Sequence, residues 1–273
     1  MPFLTLIEAA IFIFLGLVLG SFASALIWRI PRNLPWFIEK DEATDKPVVF
    51  SRSACPHCEQ DLKPMDLVPL FSWILLGGKC RYCKEKIAID YPLAELLSVL
   101  MCLGIYHVWG FTGQGFILCA AVPFLVAMVF IDFRHMILPD TLNIILGLVA
   151  VAFISYQSIT FGTAYGYDSI LWNKLIGLVG FPLVALATGT VMTKVLKKDS
   201  MGFGDVKFFA AAGLWLGILY LPFFLICSGL IGIAIGIVFR FCKKGERFPF
   251  GPALIAALYI GVLLQGLEII PFM

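Results

Sequence analysis

The sequence predicts an all-α polytopic membrane protein of about eight transmembrane helices, interrupted once by a small polar domain. Three observations predict it. Of 273 residues, 60% are hydrophobic and only 14% charged, and the mean hydropathy of +0.95 lies beyond that of an ordinary water-soluble domain of this size. Long apolar runs recur along most of the chain, and the one extended polar stretch carries two closely spaced pairs of cysteines. The formal charge of +2 is too small to point to nucleic acid, and the basic residues fall between apolar runs rather than along one face.

In the first thirty residues no basic residue precedes the apolar stretch, and the first positive charge, Arg29, follows it. That is the pattern of a signal anchor rather than of a cleaved leader. Crossing a hydrocarbon core of about 30 Å takes roughly 20 apolar residues. Eight runs approach that length: Leu4–Trp28, Pro92–Trp109, Gly115–Ile131, Thr141–Tyr156, Ile170–Leu196, Val206–Leu219, Pro222–Arg240 and Pro252–Ile269. Only Tyr220 and Leu221 separate the sixth from the seventh. With Met1 outside, segments 29–91, 132–140, 194–207 and 240–251 are cytosolic and hold nineteen of the twenty Lys and Arg residues, Lys174 being the exception. Short basic loops resist translocation, so this asymmetry sets the orientation of an inner-membrane protein and places every loop with chemistry in it on the cytosolic side. Lys197, Lys198, Lys243, Lys244 and Arg247 belong to these loops, with anionic lipid as a second role.

Residues 31–90 depart from the pattern, with Pro31, Pro35 and nine acidic residues. A domain of about 60 residues needs a staple. Cys55-Pro-His-Cys58 and Cys80-Arg-Tyr-Cys83 supply one, since two thiolate pairs at this separation close a tetrahedron around zinc. A thiol redox centre or two disulfides are the alternatives, disfavoured because the cytosol keeps structural thiols reduced and no thioredoxin-like strand and helix is evident. Four sulfur ligands leave no position open for water, so the metal is expected to be structural. His57 reads as a surface residue between ligands, and Cys102, Cys119, Cys227 and Cys242 as packing residues in or beside spans. The predicted organisation is a first transmembrane helix (1–30), a cytosolic four-cysteine zinc domain (31–90) and a transmembrane core (91–273).

Ionisable residues at membrane depth are few and point to function. Asp132 closes the third span in Phe130-Ile-Asp-Phe-Arg-His-Met-Ile-Leu-Pro-Asp140, and Asp205 opens the sixth in Gly202-Phe-Gly-Asp-Val-Lys207. Both fall at the cytosolic boundary. Two carboxylates brought within a few ångströms share a proton, one acting as base toward water and the other as acid toward a carbonyl, which is the chemistry of aspartyl peptide hydrolysis. No Ser–His or Cys–His pair competes with them: His107 is near the outer face, leaving His135 as the only other histidine outside the cysteine domain. The glycines before Asp205 would let backbone approach a substrate. Asp205 also has the position of a helix cap, and Asp140 after Pro139 reads as a cap for the fourth span. Glu95, three residues after Pro92, falls in a first turn where the dipole favours negative charge. Lys207 would hold Asp205 ionised or bind lipid phosphate.

Together these residues resemble the type IV prepilin peptidases, aspartyl proteases of the Gly-x-Gly-Asp class. The resemblance rests on Gly20-Ser-Phe-Ala-Ser-Ala-Leu-Ile-Trp-Arg-Ile-Pro31, the paired cysteines, Leu67-Val-Pro-Leu-Phe-Ser-Trp73, Gly78-Lys-Cys80, Tyr91-Pro-Leu-Ala-Glu95 and the two aspartate segments. It implies cleavage of a short basic leader from prepilins or pseudopilins, by Asp132 and Asp205, at the cytosolic face. It also implies N-methylation of the new amino terminus with S-adenosylmethionine, by the region of the polar insertion. No glycine-rich nucleotide loop accompanies it beyond Gly77-Gly78; Gly77 stands where a basic residue is expected, and Glu59 where a glycine commonly follows the second cysteine. Glu39, Asp41, Glu42 and Asp45 offer a solvated acidic loop, or an attraction for the basic leader.

Phe250-Gly-Pro-Ala-Leu254 contains the Pro-Ala-Leu triplet of presenilin and signal-peptide-peptidase relatives, but those use a Tyr-Asp partner, whereas Ile131 precedes Asp132. A proton-coupled transporter with a regulatory zinc module is the alternative class, and would place its acids at mid-bilayer in broken, repeated helices. A thiol oxidoreductase would act independently of Asp205.

Overall fold

The computed structural model describes residues 2–32, 39–40, 47–48, 55, 57–165, 167–197, 202–242 and 248–267. Among the described residues nine α-helices follow one another: α1 (Pro2–Arg29), a short α2 (Phe71–Leu75), α3 (Asp90–Trp109), α4 (Gly113–His135), α5 (Asp140–Tyr165), α6 (Tyr167–Leu196), α7 (Phe203–Leu216), α8 (Leu221–Cys242) and α9 (Gly251–Gly266). A two-residue antiparallel ladder pairs Glu39–Lys40 with Pro47–Val48. Among the described residues each of the eight expected apolar runs corresponds to one of these helices. Among the described residues, however, six are long and apolar enough to cross a membrane, namely α1, α3, α4, α5, α6 and α8. At 1.5 Å per residue, α7 extends only about 21 Å and α9 about 24 Å, short of a hydrocarbon core of about 30 Å. Six of the expected eight are thus long enough to span among the described residues, α9 is a shorter apolar helix, and the count of eight is not confirmed.

The chain divides into two compact units, Met1–Leu103 and Gly104–Met273. In the first, α1 and α3 meet backbone to backbone. A Cβ on Gly16 would stand 2.6 Å from the Cα of Val99, and one on Gly20 would stand 2.5 Å from that of Glu95. Small residues four apart, matched by positions four apart on the neighbour, are how helices associate where lipid removes the hydrophobic drive.

In the second unit α7 packs among α5, α6 and α9. It crosses α6 at Gly177 and Gly213, where a Cβ on either would collide with the other's carbonyl oxygen. Phe153 and Trp215 (ring centroids 5.5 Å apart) and Phe181, Phe209 and Phe224 fill the remaining space. Because α7 is short, its last carbonyls fall inside the helix bundle, where open acceptors are costly. Lys174 of α6 donates to the Trp215 carbonyl and Gln265 of α9 donates to that of Leu216 at 2.8 Å, after which Gly217 (φ 81°) turns the chain. Lys174, only 1% exposed, is thus the exception to the basic loops because it caps a helix from within. Lys174→Met is expected to lower stability by about 1–3 kcal/mol, the cost of an orphaned buried acceptor, read as an earlier unfolding transition in detergent.

Candidate active site and cysteine centre

Asp132 lies in the last turn of α4, which ends where Met136 turns left-handed (φ 54°) and its N–H closes on the Asp132 carbonyl at 2.9 Å. The carboxylate is buried against the start of α9, where the Gly251 N–H donates to Oδ2 at 2.8 Å. First-turn amides have no partner within their own helix, so they are natural contacts for an anion. A Cβ at position 251 would stand 2.7 Å from that oxygen, so glycine is what lets the amide reach it.

Asp205 is the third residue of α7, whose N-cap, Gly202, has no side chain to cap with. Its carboxylate turns back to the Gly202 backbone, one half of a capping box, and is close enough to Asp132 for the two charges to act on each other. The 136–139 segment holds both neighbourhoods together. A Cβ on Gly204 would lie 3.1 Å from the Leu138 carbonyl oxygen, and one on Gly251 would lie 2.9 Å from Leu138 Cδ2. Buried Leu138 therefore packs under the first turns of α7 and α9 at once. The Gly-x-Gly-Asp glycines, expected to clear room for a substrate, include one that clears room for Leu138.

Lys207 does not pair with Asp205. It binds Asp140 Oδ2 at 2.5 Å and lies 5.0 Å from the centre of the Phe203 ring. Asp140 is the first residue of α5, so this ion pair joins the starts of α5 and α7. Being exposed, it contributes at most about 1 kcal/mol. Glu95 also departs from expectation: α3 begins at Asp90, which puts Glu95 in the second turn, where it accepts from the Leu70 N–H at 2.7 Å. His135 is exposed at the end of α4.

The four insertion cysteines come together, their sulfurs all within 4.8 Å of one another. Cys55 and Cys83 Sγ stand 3.8 Å apart; four sulfurs each about 2.3 Å from zinc are separated by about 3.8 Å in a tetrahedron. The donor set fits that ion. Two like turns build it. The Glu59 N–H bonds to the Cys55 carbonyl and the Lys84 N–H to that of Cys80, at 2.9 and 3.1 Å, and each turn is closed by Cys55 N–H to Gln60 and Cys80 N–H to Glu85. Glu59 (φ 55°) and Lys84 (φ 62°) are left-handed, which is why glycine suits the place Glu59 occupies. Backbone donation from Cys83 foremost draws the Cys80 thiol down to about 7. Cys83, although exposed and although the Glu85 backbone donates to it, is pushed up to about 12 by the neighbouring sulfurs of Cys80, Cys58 and Cys55. Asp66 ties the second turn to the chain before α2, accepting from Arg81 Nε at 2.6 Å and from the Lys63 N–H at 3.2 Å. His57 is exposed and outside the cluster, as expected. Cys102 and Cys119 are fully buried packing residues and Cys227 is half-buried. Asp41, Glu42, Asp45, Lys198, Lys243, Lys244 and Arg247, and the side chains of Glu39 and Cys242, lie outside the described residues.

Two family models match the chain: the bacterial peptidase A24 N-terminal domain over residues 14–109, and the type IV leader peptidase family over residues 119–237. A prepilin leader peptidase/N-methyltransferase of Pseudomonas aeruginosa is 35% identical over 271 residues, covering 92% of this chain and 88% of its own length. The chain belongs to the type IV leader peptidase family. Further leader-peptidase relatives include the prepilin leader peptidase/N-methyltransferase of Neisseria gonorrhoeae, 37% identical over 268 residues (90% of this chain, 87% of the relative). Another is a type 4 prepilin-like proteins leader peptide-processing enzyme of Escherichia coli, 34% identical over 262 residues (91% and 92%). No solved structure matches.

Within this leader peptidase fold, sequence reasoning missed Gly251 and Leu138 as supports of the aspartates. Pro252 announces a helix start at Gly251, but nothing local says that a helix start meets Asp132 from 119 residues away.

Proposed function

We propose that this protein removes the short basic leader of prepilins or pseudopilins at the cytosolic face of the inner membrane and N-methylates the new amino terminus. The observation that carries the peptidase half is the approach of Asp132 and Asp205 at three helix ends, with no nucleophile–base pair beside them among the described residues. Asp132, held by the Gly251 amide, and the more open Asp205 share one proton. The ionised member takes a proton from water as it attacks the scissile carbonyl, and the protonated member donates to the carbonyl oxygen. The resulting gem-diol collapses as the leaving amine gains a proton, and no covalent intermediate is needed. Orientation is supported by the nineteen basic residues of the intervening loops.

Cys55, Cys58, Cys80 and Cys83 would hold zinc, which cross-links the insertion and supplies no reactive position. Methyl transfer, with S-adenosylmethionine as donor, is supported by the names of the relatives. Gly77 (φ 59°) and Gly78 (φ 68°) form a left-handed turn, and a Cβ on Gly78 would also press on Trp73 at 2.9 Å, so backbone conformation and, at Gly78, packing account for the pair.

Incubating the purified protein with a prepilin, with and without S-adenosylmethionine, and weighing the products separates the two activities. The expected product has lost the leader in both cases and gained one methyl group only with the donor. An uncut substrate rejects the proposal. Gly251→Ala drives a methyl into Asp132 and is expected to slow cleavage on the order of a hundredfold, as a displacement near 1 Å of a reacting group does. Its quantity in membranes should match wild type, read by immunoblot beside the cleavage assay.

A further inference from the structure

The turn before the second cysteine pair carries an apolar face that no described contact covers. On α2, Phe71, Ile74 and Leu75 are 61%, 65% and 83% exposed, while Ser72 and Trp73 between them and Leu76 just after the helix are partly buried. Positions i, i+3 and i+4 share one helix face. Met65, Leu67 and Val68 just before it are also exposed, and Lys63 and Lys79 flank the stretch at the surface. In water such a surface is a liability.

Its depth is fixed by Glu95. The Phe71 N–H bonds to the Pro69 carbonyl at 2.6 Å, a γ-turn that holds Leu70 at φ 59°, ψ −49°. This is a strained conformation for a residue with a side chain. It presents the Leu70 N–H to the Glu95 carboxylate, buried in the second turn of α3. Glu95 is five residues past the start of α3 at Asp90, about 7 Å along the axis at 1.5 Å per residue. Since α3 enters the membrane from that end, α2 is held at the depth, about 5–10 Å, at which interfacial helices bury their apolar faces. α3 itself exposes Leu93, Leu96 and Leu100 along its first turns, and Ile89 just before its start is exposed as well.

We infer that α2 lies in the membrane interface, with Phe71, Ile74 and Leu75 among the lipid acyl chains and Lys63 and Lys79 at headgroup level. The cysteine module is thus moored to the bilayer at a point between its two cysteine pairs, in addition to its attachment through α1 and α3. The occupant of this face is lipid.

A fluorescent amino acid placed at Leu75, and separately at Ile74, in the full-length protein reconstituted into phosphatidylethanolamine and phosphatidylglycerol vesicles tests this. Both side chains point away from the protein, so the module tolerates the replacement. Brominated acyl chains are expected to quench both positions several-fold more strongly than the same probe at Gln60, and aqueous iodide to do the reverse. Iodide quenching equal to that at Gln60 would overturn the inference in favour of a water-exposed face. Protection from both quenchers would overturn it in favour of a protein cover.

Discussion

Asp132→Asn and Asp205→Asn are each expected to abolish leader removal while leaving the protein inserted and folded. An amide keeps the shape of the carboxyl group and can neither take a proton from water nor give one to a carbonyl, so the loss is that of general acid–base catalysis, on the order of a thousandfold or more. The two losses are not additive, because the carboxylates act as one unit. The double variant should therefore be no slower than either single one. Asp132→Asn also keeps an oxygen for the Gly251 N–H, so the α4–α9 contact survives and the loss belongs to chemistry. The readout is the rate of leader release from a purified prepilin, beside the quantity of protein recovered from membranes. Retained cleavage by both variants would reject the assignment.

The second large effect concerns the insertion. Cys55→Ser or Cys80→Ser is expected to remove bound zinc entirely and unfold the module around it. A small metal domain has little core of its own, and the binding free energy of structural zinc is of the order of 10 kcal/mol. Both cysteines are buried and belong to different turns, so loss of either opens the cluster. Methyl transfer should fall with the metal, whereas cleavage, whose aspartates lie in the Gly104–Met273 unit, should persist at a substantial rate. Metal content by mass spectrometry and the two product masses report the three quantities. Wild-type protein that is folded and active without zinc would refute the staple.

Most of the helical architecture is legible in the sequence because the bilayer demands long apolar runs and little else. Helix ends were less so. Val206–Leu219 reads as a span, yet α7 stops at Leu216, since its end is set by Lys174 and Gln265 reaching across from α6 and α9. The cysteine cluster was readable from spacing alone, whereas the left-handed turns at Glu59 and Lys84 emerge only with the folded backbone. Of the candidate acid pair, local motif and membrane position singled out both residues. Their supports were hidden because those are contacts between distant segments: Gly251 on Asp132, Leu138 beneath Gly204, Asp140 on Lys207 instead of Asp205. Glu95 was misread for a related reason, α3 beginning two residues before the proline taken as its start.

The pairing of the two acids is most directly tested by cysteines in their place. A full-length Asp132→Cys, Asp205→Cys variant, kept in native membranes and treated with a short thiol-specific cross-linker, is expected to join α4 to α7 rapidly. The link would be seen as a retained single band after proteolysis between them, and neither single variant should form it. If cysteines 132 and 205 react with the reagent separately and never with each other, the aspartates do not meet and the mechanism is wrong.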